Sequence, residues 1–253
     1  MSAPTASLIV VGSEVLSAKV PDENGPWLAR RLRELGVELR SVTTVADRVD
    51  DIVEAVDRER RRAGWLFTSG GVGPTHDDVT VAAVARALGR PLGRHPGLVE
   101  AIEALHRRLH AGEPAPEAAL RMAVVPFGTE LVGDQGYPTL VCANVVMLPG
   151  VPRFFRYQFD RVSTLLAGAP FQLAVAYLSV REERIAAALD AVARAHPLVE
   201  VGSYPQFDDG DHLVRVTVES RDLAAVQAGL EALLAALPAG SVLRVEGPRA
   251  AGA

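Results

Sequence analysis

The first half of the chain alternates short apolar runs with longer segments in which apolar residues recur every three or four positions. The short runs predict buried strands, and the longer period predicts helices with one face against a core. The predicted strands span 7–11, 37–45 and 65–69, and the predicted helices span 26–35, 50–63, 79–88 and 96–111. This alternation is typical of a mostly parallel sheet covered on both faces, so we expect a three-layer α/β/α domain.

A proline-rich break at 112–116 precedes a different pattern. Short strands are predicted near 122–125, 130–132 and 139–148, then a helix over 153–166, and the small residues Ala167-Gly168-Ala169-Pro170 predict a linker. Beyond it, strands at 171–179, 198–203, 212–220 and 241–245 and helices at 181–195 and 223–237 follow the order β-α-β-β-α-β. That order predicts a small ferredoxin-like α+β domain. We therefore expect one α/β domain over 1–167 and a C-terminal domain over 171–247, the latter shaping a pocket rim or an oligomer interface.

A glycine-rich loop joins the strand at 65–69 to the helix at 79–88. It reads SGGVGPTHDDVT from Ser69 to Thr80, which matches neither the dinucleotide fingerprint nor the P-loop. Gly70, Gly71 and Gly73 allow positive φ and close approach, and free backbone N–H groups at a helix start favour an anion such as phosphate. The alternative is a tight turn whose acids merely suit the helix dipole.

Carboxylates follow two of the predicted strands. Asp77 and Asp78 end the glycine loop, and Glu14 follows the first strand after Gly12 and Ser13. Carboxyl ends of parallel strands meet at one sheet edge, where ligands bind. Carboxylates beside a phosphate cradle suit a hard cation such as Mg²⁺, so Glu14, Asp77 and Asp78 are the predicted metal ligands.

Other polar residues carry weaker signals. His76 can contact phosphate or carry a proton, or simply be a solvated turn residue. His106 and His110 have a zinc-like spacing on one helix, but lack a third ligand and fit an exposed basic helix better. Arg153 can reach a phosphate or remain a surface charge.

Composition and net charge indicate which kinds of binding partner are unfavourable for this protein. The 253 residues are 49% hydrophobic and 23% charged, as in ordinary globular proteins, and the net charge of −5 disfavours nucleic acid. The single cysteine, Cys142, excludes an internal disulfide framework. A signal-peptide pattern and an apolar run of about 20 residues are both missing, so we expect a cytoplasmic protein with no membrane or nucleic-acid partner.

Five short blocks in order carry a family resemblance. They are VGSEVL (11–16), Asn24, TVAD (44–47), the glycine loop with GGVGPTHDDVT (70–80), and LPGVP (148–152). With them the chain resembles the molybdopterin-binding domain family of the MoaB/MogA proteins, the N-terminal domain of competence/damage-inducible protein A (CinA) and the N-terminal domain of eukaryotic FAD synthase. Tyr137-Pro138 and Gly202-Ser203-Tyr204-Pro205 resemble the FAD synthase branch, whose FAD-making domain has no counterpart here.

The resemblance implies a nucleotide or pterin ligand, a divalent metal (Mg, Mn or Co) and a homo-oligomer. It adds Gly12, Ser13, Asn24, Asp47, Ser69, Thr75, Thr80, Pro149 and Gly150 to the glycine-loop residues as ligand-binding positions. Some relatives adenylate molybdopterin, whereas others hydrolyse the pyrophosphate of FAD or ADP-ribose. Many relatives carry Asp at the position of Ser13. The loss of that carboxylate weakens the adenylylation hypothesis more than the hydrolysis hypothesis.

The leading hypothesis is therefore a hydrolase, a metal-dependent nucleotide pyrophosphatase of the CinA N-terminal type acting on FAD, ADP-ribose or a similar dinucleotide. Asp77, Asp78 and Glu14 would be its catalytic residues, and Thr75 and Thr80 would brace the loop. The alternatives are a non-catalytic module that binds molybdopterin or a nucleotide, and a transferase of the molybdopterin-adenylating type.

Overall fold

A computed structural model describes residues 4–133, 136–166, 168–207 and 210–250 of the chain. The chain divides into two units, Met1–Gly168 and Ala169–Ala253. Ala167, the first residue of the predicted linker, lies outside the described residues. No described helix is long and apolar enough to cross a membrane.

The first unit alternates strands and helices as the sequence predicts. Its strands are β1 Thr5–Val11, β2 Glu38–Val45, β3 Trp65–Ser69, β4 Leu92–Arg94, β5 Val124–Pro126, β6 Glu130–Val132, β7 Thr139–Cys142 and β8 Val145–Leu148. Its helices are α1 Ser13–Leu16, α2 Asn24–Glu34, α3 Val49–Arg62, α4 Thr80–Ala87, α5 Pro96–Leu109, α6 Glu117–Leu120 and α7 Pro152–Val162. Short 3₁₀ turns at Arg121–Ala123 and Ser163–Leu166 complete it.

Six strands form one sheet in the order β2-β1-β3-β8-β7-β6. The pairs among β2, β1, β3 and β8 are parallel, and only β7 runs against the others. Side chains of β1 alternate between the two faces: Leu8 and Val10 pack with α2 and α7, while Ile9 and Val11 pack with α3, α4 and α5. The predicted α/β class with a mostly parallel sheet is confirmed.

One predicted strand is wrong. The apolar run 139–148 is two strands, β7 and β8, joined by a turn at Ala143 and Asn144. Ala143 takes a φ of +54°, a conformation that alanine rarely adopts, so Asn144 is the one typical turn residue at this point of the run. The sequence also gave no sign of β4 and α6, because each is too short for a repeating apolar pattern to show.

The second unit comprises β9 Gln172–Leu178, a 3₁₀ turn at Glu182–Arg184, α8 Ala186–Ala195, β10 Glu200–Pro205, β11 Val214–Ser220, α9 Leu223–Ala236 and β12 Val242–Ala250. Its four strands form an antiparallel sheet in the order β10-β11-β9-β12. This is the predicted separate α+β unit, with both helices packed on one face of the sheet.

Candidate functional site

The glycine loop lies between the carboxyl ends of three neighbouring strands. Gly70 N–H donates to the Leu148 carbonyl at 3.0 Å, which ties the end of β3 to the end of β8. Gly70 and Gly71 have φ values of +101° and +67°. A Cβ on Gly70 would lie 2.4 Å from the Val11 carbonyl oxygen, so the loop accepts only glycine beside β1.

Thr80, the first residue of α4, anchors this loop from the other side. Its hydroxyl donates to the Gly70 carbonyl at 2.8 Å and its N–H donates to the Gly71 carbonyl at 2.9 Å. Thr80 is fully buried, and a Cβ on Gly71 would lie 2.2 Å from its Oγ1. The two glycines and the threonine therefore form one packed unit that fixes the loop's backbone.

Asp78 is a structural part of the loop as well as a candidate ligand. Its Oδ2 accepts a hydrogen bond from Thr75 N–H at 2.8 Å, and the Thr75 hydroxyl donates to the same oxygen. A Cβ on Gly73 would lie 2.6 Å from that oxygen, so Gly73 leaves room for the carboxylate. The loop closes on itself through Asp78 and thereby holds Gly71 and Gly73 in place.

Asn24 joins the start of the glycine loop to the β8–α7 turn through its side-chain amide. Its Nδ2 donates to Ser69 Oγ at 2.8 Å and to the Gly150 carbonyl at 2.7 Å. The side chain is buried, and its Oδ1 has no hydrogen-bond partner among the described residues. Gly150 in turn packs on Gly70, because a Cβ there would lie 3.3 Å from the Gly70 Cα. Asn24, Ser69 and Gly150 therefore support the glycine loop.

A second polar group lies at the ends of β1 and β2. Ser13 N–H donates to Asp47 Oδ2 at 2.7 Å, and Asp47 N–H donates to Ser13 Oγ at 3.3 Å. The exposed Glu14 follows, and its carboxylate lies close to Gly12, where a Cβ would be 2.7 Å from Oε1. The structure thus pairs Ser13 with Asp47 and places Glu14 next to that pair.

The three predicted metal ligands do not form one cluster. Among the residues that the structure describes, no group of three or more His, Cys, Asp or Glu side chains could hold a metal ion. Asp77 and Asp78 are consecutive on the glycine loop, whereas Glu14 belongs with the β1–β2 group. Hydrogen bonding from Thr75 and from its own backbone N–H lowers the pKa of Asp77, whose side chain is exposed.

The glycine loop opens onto a cavity of about 790 Å³ in the first unit. Its residues come from the glycine loop, the β8–α7 turn, α5, α7, the 3₁₀ turn at Arg121–Ala123 and the stretch before β7. They are Gly71, Val72, Gly73, Asp78, Leu105, Arg108, Leu109, Met122, Gly136, Tyr137, Pro149, Gly150, Val151, Arg153, Phe154, Tyr157 and Gln158. The volume is that of a small-molecule site, so the predicted loop residues face a space large enough for a ligand.

Two arginines give this cavity a positive wall. Arg108 of α5 and Arg153 of α7 both line it, and neither makes an ion pair or hydrogen bond within the described residues. Unpaired guanidinium groups beside a glycine loop suit a phosphate or pyrophosphate. The sequence pointed to Arg153 but not to Arg108, whose helix looked like an ordinary solvated surface.

Aromatic side chains form the remaining wall. Tyr157 and Phe154 are more than half exposed, and Tyr137 is partly buried, which raises the pKa of its hydroxyl. Arg161 donates to the Tyr157 hydroxyl at 2.7 Å and to the Tyr137 carbonyl at 3.0 Å. A ring-bearing ligand can therefore lie against these aromatic side chains. The sequence gave no sign of this wall, because its residues come from separate elements.

The histidines take no part in this arrangement. His76 is almost fully exposed on the glycine loop, where its ring nitrogen lies 3.9 Å from Asp77. The rings of His106 and His110 stack at 4.1 Å on α5. Neither histidine of that pair lines the cavity beside Arg108.

Residues 7–167 match the family described as a probable molybdopterin binding domain. Residues 170–246 match the family described as the middle domain of FAD synthase. The two matches cover the first unit and the second unit in turn.

Among relatives, a protein of Aeropyrum pernix is 37% identical over 92% of this chain and 91% of its own length. A CinA-like protein of Mycobacterium tuberculosis is 38% identical over 68% of this chain, which spans only 42% of that relative's length. A crystal structure of the protein CinA from Thermoplasma acidophilum, described as of unknown function, aligns with 65% of this chain and 98% of its own at 27% identity and a TM-score of 0.58.

Proposed function

The chain belongs to the family of probable molybdopterin-binding domains, and from that premise we propose that it hydrolyses the pyrophosphate bond of a dinucleotide with a divalent metal. The substrate would be FAD, ADP-ribose or a similar compound. The observation that carries the proposal is the position of the glycine loop, which faces a cavity with a positive wall and an aromatic wall. We place this activity in the cytoplasm, where such nucleotides occur.

The two walls suit the two parts of such a substrate. The backbone of Gly71 and Gly73 and the side chains of Arg108 and Arg153 would hold the negatively charged phosphates. A planar ring would stack on the aromatic wall around Tyr157. In this arrangement the phosphates contact the positively charged wall and the ring contacts the aromatic wall. A simple surface turn would offer neither contact.

The carboxylates at the loop fit a metal that is shared with the substrate. Mg²⁺ is commonly held by one or two protein carboxylates together with phosphate oxygens, so a cluster of three protein ligands is not required. Asp78 lines the cavity, and Asp77 is the residue before Asp78 in the chain. These two residues would hold the metal. A bound metal would polarise the phosphoryl group and lower the pKa of the attacking water.

Glu14 has a different position in this proposal. Its carboxylate lies with Ser13 and Asp47 at the ends of β1 and β2, and it does not line the cavity. Gln in place of Glu14 should therefore reduce turnover less than Asn in place of Asp78. Equal losses of turnover in the two variants would indicate that Glu14 also binds the metal.

A non-catalytic binding module is the second candidate. It is favoured by the missing three-ligand cluster in the described part of the chain and by the use of Asp78 in holding the loop. A module of this kind would bind a nucleotide or pterin in the same cavity and release it unchanged.

Product analysis separates the candidates. The full chain would be incubated with FAD, with ADP-ribose and with ATP plus a pterin, each in the presence of Mg²⁺, Mn²⁺ or Co²⁺ and each with a chelator instead. The proposal predicts AMP from FAD or ADP-ribose only when metal is present. Pyrophosphate released from ATP in the presence of a pterin would instead indicate a transferase, and binding without any product would indicate a module.

A further inference from the structure

Gln158 of α7 presents an unpartnered amide to the cavity at the glycine loop. The residue lines the cavity and is only 7% exposed. Its backbone carbonyl accepts from the Thr139 hydroxyl at 3.0 Å, but its side-chain amide has no hydrogen-bond partner among the described residues. That amide is not sealed off from solvent, so it reaches the cavity. A nearly buried amide is unfavourable in such a place until a bound molecule pairs with it.

The other polar side chains of the cavity are either charged or already engaged. The acidic and basic ones suit a metal and phosphates. The Tyr157 hydroxyl accepts from Arg161 at 2.7 Å, and the Tyr137 hydroxyl donates to the Met122 carbonyl at 3.4 Å. Within the described part of the chain, Gln158 is therefore the neutral polar side chain that remains to recognise the ring of a ligand.

Helix α7 places this amide beside the aromatic wall. Phe154 and Gln158 are four residues apart on the helix, so their side chains are neighbours on one of its faces. Tyr157 comes directly before Gln158 and also lines the cavity. Stacking contacts the face of a ring, whereas an amide pairs with its edge. A ring that lies on this wall can therefore make both contacts at once.

The same helix orders the ligand along its axis. Arg153, which suits a phosphate, lies five residues before Gln158, or about 7.5 Å along the axis at the usual rise of an α-helix. The glycine loop is at the same end as Arg153, since Gly150 packs on Gly70 just before α7 begins. A nucleotide has the matching order of phosphate, sugar and ring. Its ring would therefore reach Gln158 when its phosphates lie at the glycine loop.

A primary amide forms two parallel hydrogen bonds with an edge that carries a donor next to an acceptor. A flavin has such an edge where a ring N–H adjoins a carbonyl, and adenine has one where its amino group adjoins a ring nitrogen. We propose that Gln158 is the specificity-determining residue of this cavity and selects a planar heterocycle with such an edge. The inference rests on the proposed function for a ring-bearing nucleotide, and it does not require hydrolysis.

Binding of the two halves of FAD tests the proposal without relying on turnover. Calorimetry with the full chain would use FMN, AMP and ribose 5-phosphate, which has no ring. It would also use FMN methylated at the ring N–H and AMP dimethylated at the amino group, because methylation removes the donor from each edge. Melting temperatures would confirm that every variant is folded.

Three variants accompany the wild type. Gln158→Met keeps the length of the side chain without its polar atoms. Gln158→Glu keeps its shape but has no donor when ionised, and it serves if the methionine variant does not fold. Gln227→Met, an exposed position on α9 of the second unit, is the matched control.

The proposal expects the wild type to bind FMN or AMP about tenfold or more tightly than ribose 5-phosphate and than the methylated form of the same nucleotide. Both Gln158 variants should lose about tenfold of the preference for that nucleotide over ribose 5-phosphate, and Gln227→Met should match the wild type. Methylation should cost Gln158→Met little further affinity. A response with FMN alone makes FAD the substrate, whereas a response with AMP fits both FAD and ADP-ribose.

Three results overturn the proposal. Neither nucleotide binds more tightly than ribose 5-phosphate, or a folded Gln158 variant keeps the wild-type preference, or methylation weakens binding to Gln158→Met as much as to the wild type. If the expected binding pattern appears but no dinucleotide is cleaved, the proposed hydrolysis fails and the role of Gln158 stands.

Discussion

At the scale of single residues, a substitution at Gly71 tests whether the ligand binds against the glycine loop. Gly71→Ala would place a Cβ 2.2 Å from Thr80 Oγ1 at a φ of +67°, so Thr80 must move and the loop must change shape. We expect affinity for FAD or ADP-ribose, measured by calorimetry, to fall at least about tenfold, which corresponds to about 1.4 kcal/mol.

Gly89→Ala is the matched control for this change. Gly89 has nearly the same φ, +63°, but a Cβ there meets nothing within 4 Å and the residue does not line the cavity. Both substitutions carry a similar backbone strain of about 1 kcal/mol. If the two variants bind the dinucleotide equally well, the ligand does not lie against the glycine loop.

Asp78→Asn tests the metal at the same loop. Asparagine keeps an oxygen that can accept from Thr75 N–H, so the loop should remain closed while the charge that a cation needs is lost. Metal-stimulated hydrolysis should drop about a hundredfold or more, with the melting temperature nearly unchanged. Wild-type turnover in this variant would make Asp78 a purely structural residue.

Asn24 is a residue that the family resemblance named as ligand-binding and whose contacts only the fold shows. Its match to the family pattern put it in the site, yet only the fold shows that it joins Ser69 to Gly150. Removing it leaves buried polar atoms without partners, which costs about 1–3 kcal/mol. Asn24→Ala should lower both the free energy of unfolding in urea and the affinity for ligand.

Asn144→Ala provides the comparison for Asn24. Its side chain also joins separate segments, donating to the Arg60 and Ala63 carbonyls at 3.0 and 3.3 Å, but at the β7–β8 turn and outside the cavity. It should lose stability without losing affinity. A parallel loss of affinity in both variants would mean that Asn24 acts only through global stability.

At the scale of elements, helix α3 is joined to the sheet by a buried carboxylate. Glu59 is almost fully buried and accepts hydrogen bonds from Ser41 of β2 and from Arg58. Burial by itself raises its pKa, but these hydrogen bonds, with one from Ser7, outweigh burial, so the pKa of Glu59 is lowered. The ionised form is therefore favoured in the folded state.

The lowered pKa gives a pH dependence with a definite sign. The stability from Glu59 is present above the pKa of an unfolded glutamate and is lost as the pH falls through the lower folded value. Glu59→Gln should unfold at lower urea than the wild type at pH 7, and the difference should shrink below about pH 4. If the difference in stability between Glu59→Gln and the wild type stays constant with pH, the loss comes from packing and not from the charge of Glu59.

The elements also show which parts of the sequence pattern were informative. Apart from the short α1 and β4, the strands and helices up to residue 111 were predictable because each has a clear apolar pattern and boundaries such as Gly36 and Pro96. The β7–β8 turn was not, since Ala143 adopts a left-handed conformation that alanine rarely takes and a single polar residue, Asn144, interrupts the apolar run. The cavity walls were not predictable either, because Arg108 and Tyr157 meet only through the packing of α5 and α7.

At the scale of the whole molecule, all predicted site residues precede the boundary between the two units. The first unit runs to Gly168, whose N–H donates to the Leu35 carbonyl at 3.0 Å, so that residue still belongs to its fold. A chain ending at Gly168 has enough residues for a core of its own. It should fold cooperatively and retain metal-dependent ligand binding.

Thermal unfolding and calorimetry of that shortened chain, beside the full chain, would check this expectation. Its matched control is the shortened chain carrying Gly71→Ala, which should fold and bind poorly. A soluble but ligand-blind product would mean that the second unit supplies part of the site. An insoluble product would mean that the first unit does not fold alone.

The central claim is that the cavity at the glycine loop hydrolyses a pyrophosphate bond, and oxygen-isotope labelling tests it most directly. The full chain would turn over FAD or ADP-ribose with metal in water enriched in heavy oxygen, and mass spectrometry would locate the label. We predict AMP and the second phosphate product in equal amounts, with one heavy oxygen in one of the two. Bound but uncleaved dinucleotide with every metal, or products without label, would contradict the account.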